Sequence, residues 1–208
     1  MYDSKTPLDQ FLAAAAARQP TPGGGSVTAV VGALAASMGE MVLHYSIGKK
    51  NQMAIDQELM PILAEMTKAR HLLLELMVED QLAYEAVTKL KKLPADSPER
   101  LDQYPVMLAA CIRVPEAMAA TGVAILELCD RAVNFANYYL LSDLAVSADL
   151  AMATTRCAIY NVRVNMKELT EEDDRRRIES SISQMLQRAA ELIQRVSPRI
   201  WARDSQGV

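Results

Sequence analysis

Residues that build strands, disulfide frameworks and histidine metal centres are scarce in this chain. Its 208 residues contain 5% aromatics and 8 glycines, and glycine is rare outside one Pro-Gly stretch. No segment alternates polar and apolar residues as a half-buried strand does. Ala, Leu and Met lead a hydrophobic half of the sequence, a composition that favours helix throughout. The cysteines Cys111, Cys129 and Cys157 are odd in number, far apart and without a C-x-x-C pair. They are expected to be buried free thiols in a reducing cytosol. Only His44 and His71 supply imidazoles, and the Glu-x-x-His signature of ferritin-like centres is absent, so no metal ligand is assigned. The net charge of −4 and pI near 5.3 leave no basic nucleic-acid footprint. The start Met1-Tyr2-Asp3-Ser4-Lys5 has no signal-peptide layout. The apolar run Val27 to Gly39 is short for a membrane span, and Glu40 closes it. The expectation is a cytoplasmic protein with neither a membrane nor a nucleic-acid partner.

What is present reads as helices. Residues 1–208 suffice for one domain with a sizeable core. Thr6-Pro7-Leu8-Asp9 combines a cap, a first-turn proline and a first-turn acid, predicting a helix to about Arg18. A second helix is expected from Ser26 to about Tyr45, with Ala29, Gly32, Ala33, Ala36 and Gly39 giving a small-residue face for close helix approach. Gly48 ends it. A long helical stretch follows from about Asn51 to Leu93, then a loop at Leu93 to Pro98. Helical residues continue from Glu99 to Phe135, with interruptions expected at Pro105 and Pro115. Further helices run from about Tyr139 to Leu169 and from Glu171 to Trp201. The fold class is all-α: an up-and-down bundle of five or six helices, dimerising through helix faces.

Three groups carry more polar chemistry than a bundle requires. In the first, Pro20-Thr21-Pro22-Gly23-Gly24-Gly25-Ser26 precedes a nearly apolar helix. Two readings fit: an anion cradle at a helix N-terminus capped by Ser26, or a glycine link between tightly packed helices. Lys49 and Lys50 lie at the other end of that helix, roughly 30 Å away at 1.5 Å per residue. An antiparallel pair of chains would join the two ends. The second group is Asn137, Ser142 and Asp143. Asp143 opens an apolar helix, as a carboxyl of raised pKa suited to acid–base work or as a plain helix-start residue. The third is Asp80 with Tyr84, and Asn161 with Asn165, each pair on one helix face at i, i+4. Surface acids and a helix-to-helix amide bond are their simpler readings.

In this order and spacing the chain resembles the cyclodeaminase/cyclohydrolase family. That family comprises the C-terminal domain of formiminotransferase-cyclodeaminase and free-standing bacterial methenyltetrahydrofolate cyclohydrolases. The Pro20 to Ser26 segment is the strongest part. Ile47-Gly48-Lys49-Lys50, Glu79-Asp80 with Tyr84, Val114-Pro115, Asn137 with Ser142-Asp143-Leu144, and Asn161-Val162-Arg163-Val164-Asn165 complete it. The resemblance implies an all-helical homodimer that binds a reduced folate. Asp143 matches the favoured catalytic acid/base, and Lys49 and Lys50 match the motif associated with the folate site. Gly23, Gly24, Gly25, Ser26, Asp80, Asn137, Ser142, Asn161 and Asn165 complete the implied substrate site. The chain departs from the family pattern at His44, Asn51, Gln52 and Tyr139. The implied reaction is hydrolysis of 5,10-methenyltetrahydrofolate to 10-formyltetrahydrofolate, with a tetrahydrofolate derivative as substrate and no cofactor. Formiminotetrahydrofolate cyclodeamination with ammonia release, and an inactive folate-binding or structural dimer, are the alternatives.

Overall fold

Apolar residues at three- and four-residue spacing build six α-helices and one 3₁₀ turn among the described residues. The computed structural model describes residues 1–50 and 52–204. The helices are α1 (Leu8–Ala15), α2 (Gly24–His44), α3 (Met53–Leu90), α4 (Pro98–Ala132), α5 (Leu141–Met166) and α6 (Glu172–Asp204), and the 3₁₀ turn Tyr138–Leu140 leads into α5. Asn51, where the sequence predicts the start of the third helix, lies outside the described residues.

α2 to α5 alternate in direction. The N-terminus of α2 meets the C-terminal halves of α3 and α5, where Ser26 faces Asp80 and Gly24 faces Asn161. Its C-terminus meets the α4–α5 turn, where the Asn137 backbone N–H donates to Ser46 Oγ at 2.7 Å. α2 packs on both α3 and α5 because its small residues leave no bulk. A Cβ on Gly32 would lie 2.9 Å from Leu73 and Thr154 carbons, and one on Gly39 would lie 2.8 Å from Met66 Cε. The small-residue face therefore receives helices of its own chain. α6 lies across α4 and α5. It buries Ile182, Ala189, Leu192, Val196 and Ile200, and its Arg188 and Arg195 pair with Glu127 and Asp130 of α4 at 2.8 and 2.6 Å.

Several local expectations are corrected. α4 runs unbroken through Pro105 and Pro115. An interior proline costs about 3 kcal/mol, which the buried face of α4 offsets through Leu108, Ile112, Met118, Ile125 and Leu126. The cap of α2 is Gly23, and Ser26 stands inside the helix. Cys157 is exposed, while Cys111 and Cys129 are buried free thiols. Gly48 does take the left-handed backbone, φ 81°, as a helix-ending glycine does. α2 and α4 are long and apolar enough to cross a membrane by length and composition, yet 61% and 56% of their apolar windows are buried inside the bundle.

Glu40 lies buried at the α2–α3 contact. It accepts from Arg70 Nε at 2.6 Å and from Thr67 Oγ1 at 2.9 Å. The bond to Glu40 raises the Arg70 pKa against the opposing effect of burial. Glu40→Ala should cost about 2 kcal/mol, less than a fully buried pair because Arg70 can turn partly to water. A urea midpoint unchanged from the native protein would contradict this.

Candidate active site

Gly23 caps α2 in extended backbone and brings no side chain to the free N–H groups behind it. The acceptor comes from α3. Ser26 Oγ donates to Asp80 Oδ2 at 3.0 Å, and the Ser26 backbone N–H bonds the same carboxylate. The approach is so close that a Cβ on Gly25 would lie 2.0 Å from Asp80 Oδ1. Gly25 is therefore a position where only glycine leaves the carboxylate its place. The helices are tightly packed at the loop, and the carboxyl group at the N-terminus of α2 is the protein's own Asp80.

Beside this contact lies a cleft of about 180 Å³. The Pro20 to Gly25 segment forms one wall, and Asp80 and Tyr84 from α3 form another. Asn161, Val164 and Asn165 from α5 and Cys111 from α4 close it. The i, i+4 spacings read from the sequence place Asp80 with Tyr84 and Asn161 with Asn165 on facing walls. Cys111 has no sequence signal for this place; the α4–α5 crossing alone brings it there.

Asp80 is the only charged side chain in the lining among the described residues. Burial raises its pKa, outweighing the two bonds from Ser26, which lower it. Burial, reinforced by the charge of Asp80, pushes the Cys111 thiol to about 11. Cys111 is thus protonated at neutral pH and is no nucleophile. Another cavity, of about 460 Å³ between α4 and α6, is lined by Arg113, Glu116, Asp174 and Arg177 among others, with both signs of charge and none of the residues marked by the sequence.

The remaining residues marked by the sequence stand at the other end of the bundle. Lys49 and Lys50 are exposed beyond α2. Asn137 braces the α4–α5 turn, donating from Nδ2 to the Tyr45 carbonyl at 3.2 Å and accepting from the Tyr139 N–H at 3.3 Å. Ser142 is exposed and Asp143 is half-buried in the first turn of α5. Asn161 is 18 residues further along α5, about 27 Å at the helical rise. Within one chain, Gly23, Gly24, Gly25, Ser26, Asp80, Asn161 and Asn165 form one group, and Lys49, Lys50, Asn137, Ser142 and Asp143 form another.

The profile of the formiminotransferase-cyclodeaminase family matches residues 7–184, from α1 into α6. The chain belongs to this family. Pig formimidoyltransferase-cyclodeaminase is 29% identical over 203 residues, which cover 96% of this chain and 38% of that protein. The chain thus spans about two fifths of the length of that relative. Methenyltetrahydrofolate cyclohydrolase of Methylorubrum extorquens is 30% identical over 182 residues, covering 86% of each protein. Formiminotetrahydrofolate cyclodeaminase of Thermotoga maritima, a solved structure, superposes with a TM-score of 0.87 at 29% identity, covering 95% of this chain and 97% of that one. These family members include both the bifunctional and the free-standing forms, and the full helical bundle is shared with the solved one.

Proposed function

We propose that this chain is a folate one-carbon enzyme acting on an amidinium carbon attached to N5 of tetrahydrofolate, with Asp80 as the proton carrier. The observation that carries the reading is the cleft itself, where the half-buried Asp80 carboxyl group is the only charged side chain in the lining among the described residues. A cationic group fits such a site, and an anionic one is repelled. In 5,10-methenyltetrahydrofolate the carbon joining N5 and N10 is an amidinium cation. Water adds to it, a base takes a proton from the water, and protonation of N5 opens the ring to the 10-formyl product. One carboxyl group, its pKa raised by burial, serves both transfers. The chemistry requires a positioned acid/base and no metal or redox group.

The second group of residues enters through pairing of two copies. Val27, Leu34 and Tyr45 leave an exposed apolar line along α2, and Val146, Tyr160 and Val164 leave one along α5. Joined antiparallel along these lines, two chains bring Lys49, Lys50 and Asp143 of one beside the cleft of the other. The lysines then take the glutamate carboxylate of the folate, outside the cleft, and Asp143 adds a second carboxylate to the chemistry. The working unit is accordingly a homodimer, placed in the cytoplasm.

The expected result is loss of 5,10-methenyltetrahydrofolate absorbance on mixing with the purified protein. The second reading is cyclodeamination, favoured by hydrogen-bond acceptors in the lining, and a parallel ammonia assay with 5-formiminotetrahydrofolate measures it. Folate binding without either reaction would leave a folate-binding dimer, and no binding at all would end the folate reading.

A further inference from the structure

Asn165 has both amide hydrogens committed. Its Nδ2 donates to the Cys111 carbonyl at 2.8 Å and to the Asn161 carbonyl at 3.0 Å. An asparagine amide has two N–H donors and one acceptor oxygen, so Oδ1 is what Asn165 offers to the cleft it lines. Asn161 spends one hydrogen on the Cys157 carbonyl at 2.9 Å. With the Asp80 carboxylate added, and with no Lys, Arg or His in the lining among the described residues, the side chains of the cleft are weighted strongly toward acceptors. Such a site recognises a ligand by its N–H groups.

The two candidate one-carbon units differ in that respect. The 5,10-methenyl group has no N–H on either nitrogen. In a protonated 5-formimino group the terminal nitrogen carries two hydrogens. We propose that Asn165, through Oδ1 and together with Asp80, reads the N–H donors of the nitrogen that leaves, making it a specificity-determining residue for a nitrogen-bearing one-carbon unit. This rests on the folate reading above. In the step it serves, N10 bonds to the amidinium carbon and gives its proton to the Asp80 carboxylate. Asp80 returns that proton to the terminal nitrogen, the carbon–nitrogen bond breaks, and ammonia departs from the methenyl cation. Oδ1 of Asn165 holds a hydrogen of that nitrogen throughout, so its lone pair faces Asp80.

The test is a comparison of Asn165→Ala with the native protein in two measurements. One is kcat/KM for ammonia release from 5-formiminotetrahydrofolate, and the other is Kd for 5,10-methenyltetrahydrofolate, which has no N–H to offer. Losing a hydrogen bond to a charged group should lower kcat/KM about 10–100-fold, with the Kd within about threefold. A parallel loss in both, or no loss of ammonia release, overturns the assignment. A probe of the native protein needs no variant. Formamidinium should compete for the cleft at least tenfold better than tetramethylformamidinium, which lacks N–H groups, and equal competition overturns the assignment too. A native protein that binds methenyltetrahydrofolate but releases no ammonia sinks this inference and leaves the folate reading standing. Failure to bind either folate sinks the folate reading itself.

Discussion

Asp80→Asn should lower turnover about 10²–10⁴-fold and leave the fold at least as stable as the native protein at neutral pH. The two effects have one cause. Asp80 sits against the N-terminus of α2 at a raised pKa because burial disfavours its charge more than Ser26 favours it. Asn keeps an oxygen for Ser26 Oγ and removes the charge that burial penalises. Because the folded-state pKa lies above the unfolded value, a protonated Asp80 contributes stability that is fully present below the unfolded pKa, near 3.8. That contribution is lost as pH rises through the folded value. The variant should lack this pH dependence, so its stability should exceed that of the native protein most clearly above the folded pKa. Thermal melts from pH 4 to 8 and steady-state rates check both halves. An active variant excludes Asp80 from the proton transfer, and an inactive one that has also lost stability marks Asp80 as a structural cap. Asp143→Asn in the same assay shows whether the second carboxylate joins the chemistry. Native turnover there would leave Asp80 as the sole acid/base.

Gly25→Ala should be nearly as damaging to turnover as loss of the carboxyl group, at a stability cost of about 1–3 kcal/mol. A methyl group there would lie 2.0 Å from Asp80 Oδ1 and 2.5 Å from Asp80 Cγ. The side chain must rotate away, leaving Ser26 and vacating its place in the cleft. Gly24 is the contrasting case. Its Cβ would meet Asn161 Oδ1 at 3.2 Å, a contact a slight shift of the amide relieves, so Gly24→Ala should be mild. The double variant Gly25→Ala/Asp80→Asn should lose little beyond either single variant, because both act through one carboxylate. Additive losses in turnover would separate the two positions and contradict the shared mechanism.

Helical periodicity, the apolar faces and the ends marked by Gly48 and by Pro94 to Pro98 were legible in the order of residues, because those signals are local and repeat every turn. Pro105 and Pro115 misled for the same reason. Their local cost is real, and only the packing of α4 against its neighbours outweighs it. The polar residues of the site were also visible, as i, i+4 pairs and a glycine run, but their partners were not. Asp80 joins Ser26 across 54 residues, and Asn165 joins Cys111 across 54. No spacing along the chain encodes which helix faces which, so Ser26 read as a cap and the loop stayed open between an anion cradle and a link of packed helices. The sequence by itself determined the helices, their apolar faces and the polar residues available for chemistry. The tertiary structure alone decided that Asp80 fills the N-terminus of α2 and that Cys111, Asn161 and Asn165 close the same cleft, since both follow from helix crossings, which bring together residues remote in sequence.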